Sequence, residues 1–312
     1  MKFAAQVYSK GNTIFWAIIA CLLWSTAYAG IKLGLQYDTP LHFAGLRFMI
    51  AGLMLLPFTV RPSSYIRMIR EHYRLVLSVM VLQTVMNYSL FYLGMNLIPG
   101  ALGAVIVGSQ PLITAIVAAM MNKEEKLNRS KIITIVFGIS GVILISAGRQ
   151  ALRIGTAIEF VGVILILGAN VASSVSNVFV SLKSRGINPV VLSSFSLGIG
   201  GLILYLASIP IEGTLRVHRP FLYWADLAWL SFMSAFAFSI WFNLLQRPGV
   251  KVSELNLWKF IIPVVGAILS WLLVPGEHPE MLTFAGMIII SLSLVLFFVT
   301  SGRSRPLSIS KK

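Results

Sequence analysis

Three charged side chains within apolar stretches are the strongest candidates for chemistry in this chain: Arg47, Glu254 and Lys259. A charge inside a bilayer is costly unless it is paired or hydrated, so such residues usually serve a function. Lys259 lies about 12 Å from Lys251 along a helix rising roughly 1.5 Å per residue. Its side chain can snorkel over only part of that depth, which predicts that it faces water or an anion, such as a substrate carboxylate or phosphate. The alternative is a structural pair with Glu254, although five residues is a poor helical spacing for a direct pair.

Glu254 and Arg47 each allow two interpretations. Glu254 is a candidate for binding an amino group or for carrying a coupling proton, and the alternative is a hydrated acid at the membrane surface. Arg47 is a candidate for attracting an anionic substrate. The alternative is a structural role, in which Arg47 ties its helix to neighbouring backbone carbonyls.

Polar and aromatic residues recur at helical spacing within several apolar stretches. In the clearest case, Asn170, Ser173, Ser174 and Asn177 follow the i, i+3, i+4, i+7 pattern of one helix face. Such a face lines a polar cavity or, alternatively, packs helices together, because small and hydroxyl-bearing residues allow close approach. The predicted substrate-binding residues are Trp24, Tyr28, Asn87, Tyr88, Tyr92, Asn170, Ser174, Asn177, Trp241, Asn243, Glu254, Trp258 and Lys259.

Two prolines lie inside apolar stretches, Pro111 and Pro263. A proline within a helix leaves a carbonyl near position i−4 without its partner and bends the helix. The two positions are therefore predicted hinge or gating points, with a purely structural bend as the alternative.

The composition places these residues in a membrane. Of the 312 residues, 57% are hydrophobic and 11% are charged, and the mean hydropathy is +0.86. Apolar runs of about twenty residues match a hydrocarbon core of roughly 30 Å. Because spanning strands would produce short alternating segments, which are not found, the sequence predicts an all-α membrane protein. The ten predicted transmembrane helices are about 13–35, 41–60, 74–95, 100–121, 130–148, 156–182, 189–209, 224–245, 252–274 and 281–300.

Proline and glutamate spacings indicate a duplication. Pro111 precedes Glu125 by fourteen residues, and Pro263 precedes Glu277 by the same distance. Chance spacing is the alternative, but the prolines that open the second and seventh helices extend the match. The sequence thus predicts two five-helix repeats, 13–148 and 156–300, followed by a basic tail, 301–312. Since five is odd, the second repeat enters the membrane in the opposite orientation, which gives an inverted repeat.

The distribution of basic residues predicts the topology. Most of the 25 lysines and arginines fall on the segments that share one side of the membrane with both termini. The positive-inside rule then predicts that the N and C termini are cytoplasmic. The predicted location is the cytoplasmic (inner) membrane of the cell. The net charge of +15 is spread over separate loops instead of one patch, so no nucleic-acid partner is predicted. The expected partners are a small-molecule substrate and the lipid bilayer, and the sequence does not define an oligomeric state.

No pattern in the sequence predicts an enzyme. One cysteine and four scattered histidines offer no ligand spacing, and no nucleophile–base arrangement or phosphate-binding glycine loop occurs. We therefore expect no metal, no cofactor and no catalytic residues.

The order of these motifs resembles the drug/metabolite transporter superfamily, EamA type, over nearly the whole chain. The resemblance rests on "LLWSTAYAGIKLGL" with its Trp24-Ser25 pair, on "PLHFAGLRFMIAGLMLLP" with Arg47, and on "GALGAVIVGSQPLITAIVAAMMNKEEKL" with Pro111 and Glu125. It implies a ten-helix carrier in which the first four helices of each repeat surround a central cavity. The fifth and tenth helices would lie behind them, and the two four-helix bundles would rock to expose the cavity to either side.

Together these observations predict a secondary active transporter, an exporter of small metabolites that works by alternating access. Aromatic rings, amides and a few opposite charges suit amino acids or related zwitterions. A proton gradient is a candidate energy source, since no nucleotide-binding motif is present. The alternatives are a broad-specificity drug/metabolite efflux permease and a passive, channel-like facilitator.

Overall fold

A computed structural model of the chain describes residues 10–122, 125, 132–133, 136–137, 140–141, 157–184, 186–213, 218–274 and 281–301. Regular structure in these ranges is helical, and they contain no strand. Most of the predicted fifth transmembrane helix, Glu277, and the tail beyond residue 301 lie outside the described residues.

The helices begin and end close to the predicted boundaries. They are α1 Lys10–Ser25, α2 Ala27–Gly34, α3 Pro40–Leu55, α4 Pro62–Glu71, α5 Tyr73–Val79, α6 Asn87–Leu97, α7 Gly100–Val107, α8 Gln110–Met121, α9 Ala157–Lys183, α10 Pro189–Glu212, α11 Phe221–Leu245, α12 Val252–Asn256, α13 Ile261–Leu273 and α14 Met281–Ser301. Several start in the way expected for helix N-termini. For example, Pro189 opens α10, and the Asn188 side chain accepts a 2.8 Å hydrogen bond from the Val190 N–H.

Within the described residues, seven helical stretches are long and apolar enough to cross a membrane, which confirms the all-α membrane class. They are Asn12–Gly34, Pro40–Phe58, Tyr73–Leu97, Ala157–Lys183, Pro189–Glu212, Phe221–Leu245 and Val252–Leu273. They correspond to the first three and the sixth to ninth predicted transmembrane helices. The fourth is divided into α7 and α8, and α14 covers the tenth.

Breaks in helical geometry occur in the middle of the long stretches. A π-helical segment, Met80–Met86, joins α5 to α6, and a 3₁₀ segment, Leu257–Phe260, joins α12 to α13. The α7–α8 break at Gly108–Ser109 lies just before Pro111, and the 3₁₀ segment ends shortly before Pro263. Such interruptions leave backbone polar groups unpaired inside the molecule, where side chains or ligands can bind them.

Helices α3 and α10 cross with their backbones in close contact. A Cβ atom on Gly52 would lie 2.3 Å from the Gly198 Cα, and one on Gly201 would lie 2.3 Å from the Met49 N. The Ser194 hydroxyl also donates a 3.0 Å hydrogen bond to the Gly52 carbonyl. Small residues permit this approach in membrane proteins, and the contact fixes the position of α3, which carries Arg47.

A polar cluster joins the start of α3 to the start of α11, and its central residue, Asp38, lies outside the membrane-spanning stretches. The Asp38 carboxylate lies 2.8 Å from the His42 Nδ1, accepts a 3.1 Å hydrogen bond from Arg219 and is hydrogen-bonded by the Tyr223 hydroxyl. Burial by itself raises the pKa of Asp38, but the hydrogen bonds from His42 and Tyr223 and the Arg219 charge together hold that pKa below its usual value. The charged form of Asp38 thus stabilises the folded protein.

Asp38→Asn is expected to make thermal stability less sensitive to acid. A carboxyl whose pKa is lower in the folded state stabilises fully above its unfolded pKa of about 3.9, and this stabilisation is lost as pH falls through the folded pKa. In the unmodified protein, the melting temperature in detergent should therefore fall as pH drops below that value. The variant should melt lower than the unmodified protein at neutral pH and show a shallower acid decline. Equal slopes in the two proteins would contradict this role of Asp38.

Candidate functional site

A central cavity lies in the middle of the helix bundle, with an empty volume of about 620 Å³ that includes solvent at its mouth. Its lining combines aromatic rings, amides and two cations. The lining residues are Trp24, Ala27, Tyr28, Arg47, Gln83, Asn87, Tyr88, Phe91, Val107, Gln110, Asn170, Ser173, Asn177, Phe238, Trp241, Lys259 and Ile262. Mostly apolar walls with a few placed polar groups are typical of small-molecule sites.

Lys259 is buried in this cavity, on the 3₁₀ segment between α12 and α13. Its Nζ donates a hydrogen bond of 3.3 Å to the Gln110 Oε1. The same nitrogen lies over two indole rings, 5.2 Å from the Trp24 centroid and 4.6 Å from the Trp241 centroid. The ammonium is thus held by an amide and two aromatic faces, a setting that stabilises a cation without neutralising it.

The structure does not pair Lys259 with Glu254. The Glu254 side chain is exposed, and it lies 3.4 Å from the Lys251 Nζ in a surface ion pair. Glu254 therefore pairs with Lys251 and not with Lys259, and the structural-pair alternative for Lys259 does not hold.

A chain of hydrogen bonds leads from Lys259 across the cavity wall. The Gln110 amide donates to the Ser173 hydroxyl at 2.7 Å, and that hydroxyl donates to the Gln83 Oε1 at 3.3 Å. Since Gln110 gives its N–H to Ser173, its oxygen is the atom that faces Lys259. These contacts connect residues of the π-helical segment, α8, α9 and the 3₁₀ segment.

The polar stripe on α9 serves both of its predicted purposes. Asn170 and Asn177 line the cavity, whereas Ser174 lies outside it, 2.7 Å from the Thr114 hydroxyl. The Asn170 amide donates to the Ile106 carbonyl at 3.0 Å, next to the α7–α8 break, so it satisfies a backbone group that the break leaves open.

Arg47 is 1% exposed and lines the cavity, yet other side chains bind much of its guanidinium. Its Nε donates to the Ser234 hydroxyl at 3.0 Å, and its Nη1 donates to the Tyr92 hydroxyl at 2.7 Å. Arg47 therefore ties α3 to α6 and α11, through side-chain hydroxyls and not through the backbone carbonyls expected from the sequence. Tyr92 itself is fully buried behind this contact and does not line the cavity.

The predicted substrate-binding residues divide into two groups. Those that line the cavity are Trp24, Tyr28, Asn87, Tyr88, Asn170, Asn177, Trp241 and Lys259. Those that lie outside its lining are Tyr92, Ser174, Asn243, Glu254 and Trp258. Asn243 is exposed, and its Oδ1 lies 3.4 Å from the Arg247 guanidinium. Helical periodicity predicts which residues share a helix face, but it does not show whether that face is directed toward the cavity.

Sequence reasoning missed several residues at or near this site. Gln83, Gln110 and Phe238 line the cavity, and the two glutamines contact other lining residues. A usable signal was present, because each glutamine is a polar residue within an apolar stretch. Asp226 was also not among the candidate residues predicted from the sequence. It lies in α11, and its Oδ2 is buried without a hydrogen-bond partner among the described residues.

Glu125 fixes the start of the segment that carries Lys259. This buried carboxylate accepts hydrogen bonds from the Val252 and Ser253 N–H groups, both at 3.0 Å. A carboxylate at a helix N-terminus satisfies open donors and complements the helix dipole. Glu125, the glutamate of the first proline–glutamate pair, therefore caps the N-terminus of α12. Glu277, its sequence counterpart, lies outside the described residues.

A polar and aromatic cavity enclosed by membrane-spanning helices is the arrangement of a membrane transporter. The sequence profile of the EamA-like transporter family matches residues 11–147 and again residues 160–299. The chain belongs to this family and hence to the drug/metabolite transporter superfamily, as its motifs indicated.

Named relatives agree with this assignment. The chain is 24% identical over 301 residues to the uncharacterized transporter YvbV of Bacillus subtilis (strain 168), covering 96% of each protein. It is 25% identical over 290 residues to a probable amino-acid metabolite efflux pump of Escherichia coli (strain K12), covering 90% of this chain and 92% of that protein. A solved crystal structure has a TM-score of 0.73 at 18% identity, covering 96% of this chain and all of that chain, and thus shares the fold.

Proposed function

We propose that the protein is a secondary active exporter of small metabolites that carry a carboxylate, with amino acids or related zwitterions as the substrate class. The observation that carries this proposal is Lys259, a buried cation between two indole rings in a central cavity. A buried charge in a membrane protein marks a functional site unless another charge neutralises it. The name of the E. coli relative, an amino-acid metabolite efflux pump, supports the same class and direction.

The proposal includes ten transmembrane helices in two inverted repeats, with both termini in the cytoplasm and the protein in the cytoplasmic membrane. The family profile matches twice, once in each half of the chain, as a duplication requires. The breaks before Pro111 and Pro263 support equivalent positions in the two halves. In this register Val107 and Lys259, each four residues before its proline, occupy matching places, and both line the cavity.

Alternating access would act through contacts between the halves. Lys259 and Ser173 belong to the second half, Gln110 and Gln83 to the first, and hydrogen bonds join them across the cavity. A substrate carboxylate would bind the N–H donors of Lys259 that Gln110 does not use. A movement of the two halves that separated Gln110 from Lys259 would change the surroundings of that carboxylate, and different contacts in the two conformations are what any ligand-driven shift requires.

A proton gradient or exchange would supply the energy. Glu254 is a weak candidate for the coupling proton, because its side chain is exposed and paired with Lys251. Asp226 is better suited, because its Oδ2 is buried within a spanning helix and has no partner in the described part of the chain.

Counterflow in proteoliposomes tests the proposed function. Vesicles are loaded with one unlabelled amino acid at a time, and uptake of trace labelled amino acid is followed over time. A carrier gives transient, saturable accumulation, and protein-free vesicles give none. Saturable counterflow of many unrelated lipophilic cations instead would identify a broad-specificity efflux permease, and unitary currents in a planar bilayer would identify a channel.

A further inference from the structure

The charged side chains in the described cavity lining are all positive. The lining carries two cations, Lys259 and Arg47, and none of its described residues is a carboxylate. Glu254 and Asp226 do not enter it: Glu254 is exposed and paired with Lys251, and Asp226 is absent from the lining. The described lining therefore offers an occupant positive charge and no negative charge.

Lys259 retains capacity to bind an anion. An ammonium has three N–H donors, and within the described residues Lys259 makes one hydrogen bond, a long one of 3.3 Å to a neutral amide. The indole N–H groups of Trp24 and Trp241 are buried and also lack acceptors among the described residues. Buried donors without acceptors are costly, so a carboxylate bound here would gain charge-assisted hydrogen bonds.

A second ammonium would find no carboxylate to pair with in the described lining. A free amino acid carries its ammonium one carbon away from its carboxylate, so binding the carboxylate at Lys259 brings two like charges close together. Like charges within a desolvated site repel strongly. The two indole faces beside Lys259, those of Trp24 and Trp241, already bind the lysine ammonium.

We infer that the cavity selects small carboxylates that lack a cationic amine, such as aryl-substituted or N-acylated carboxylic acids, over free zwitterionic amino acids. The inference rests on the proposed function, a carrier of small carboxylates, and departs from it in one respect: within that class it favours acids without an amine over zwitterions. The aromatic rings of Tyr28, Phe91 and Phe238 line the remaining wall and suit an apolar or aryl body.

Three compounds that share a phenylethyl unit test this selectivity: 3-phenylpropionate with a carboxylate, phenethylamine with an ammonium, and phenylalanine with both. Binding to the detergent-purified full chain is measured by calorimetry, and transport by counterflow. We expect 3-phenylpropionate to bind at least tenfold more tightly than phenylalanine and phenethylamine not to bind. N-acetylphenylalanine, which has no cationic amine, should behave like 3-phenylpropionate.

The outcomes separate the two proposals. Tighter binding of phenylalanine than of 3-phenylpropionate would overturn the selectivity and leave an amino-acid carrier. Binding of phenethylamine as tight as that of 3-phenylpropionate would overturn both the selectivity and the role of Lys259. Absence of counterflow for every carboxylate and amino acid would overturn the proposed function itself. This comparison uses only the unmodified protein, so misfolding of a variant cannot affect its result.

Lys259→Met provides a second readout. The variant should lose the preference for 3-phenylpropionate over phenethylamine, whereas Lys251→Met should keep it, because Lys251 is exposed and remote from the lining. A Lys259→Met protein that keeps the full preference would contradict the inference.

Discussion

Lys259→Met is expected to lower the rate of counterflow by roughly 10- to 100-fold, since a hydrogen bond to a charged group contributes about 1.5–3 kcal/mol. Methionine keeps most of the length and apolar volume of lysine but removes the positive charge, so the substrate carboxylate loses its partner. The measurement is initial counterflow in proteoliposomes, with the substrate that the unmodified protein exchanges fastest.

Folding should not confound this result. Replacing a buried charge by an apolar residue of similar volume is often neutral or stabilising, so Lys259→Met should melt at the same temperature as the unmodified protein or higher. Lys251→Met is the matched control, an exposed lysine on the same stretch, and should transport normally. Lys259→Arg keeps the charge with a bulkier, planar group, and its transport rate should lie between those of Lys259→Met and Lys251→Met. Full transport by Lys259→Met would remove Lys259 from the site.

Gly52→Ala is expected to destabilise the protein by about 1–3 kcal/mol, the usual effect of overpacking a filled interior. The new Cβ would lie 2.3 Å from both the N and the Cα of Gly198, and neither backbone atom can rotate away. Helices α3 and α10 would have to move apart, and the Ser194 hydrogen bond to the Gly52 carbonyl would lengthen. The measurement is the melting temperature of the purified protein in detergent.

Gly198→Ala is the matched control on the facing helix. Its Cβ would have ordinary contacts, the nearest at 3.6 Å from the Gly52 Cα, so the variant should melt close to the unmodified protein. Gly201→Ala should resemble Gly52→Ala, because its Cβ would lie 2.3 Å from the Met49 N. Equal melting temperatures for Gly52→Ala and Gly198→Ala would show that the two helices are not packed backbone to backbone.

The structure places only some of the predicted site residues in the cavity lining. Lys259 stood out because a charge deep in an apolar stretch is costly, and Trp24 and Tyr28 because they share one helix face. The structure brings all three to the cavity. Asn243 and Glu254 stood out for the same reasons, but both are exposed near helix ends, where water hydrates a polar group at little cost.

Other features required the three-dimensional structure. No pattern in the sequence connects Glu125 with Val252, because a carboxylate in a loop can cap any nearby helix. Tyr92 was predicted to touch substrate, yet it binds Arg47 instead. Arg47 comes from a different helix, α3, and a pattern within α6 does not show that contact.

The sequence by itself determined that the chain is a helical membrane protein, because apolar runs of about twenty residues can bury their backbone polar groups in a bilayer only as helices. Its repeated motifs were sufficient to place it in the EamA-like family. Only the tertiary structure decided which polar groups share the cavity. Gln110 and Lys259 are 149 residues apart and meet through helix packing, and that packing depends on side-chain shape across many helices, which no local pattern records.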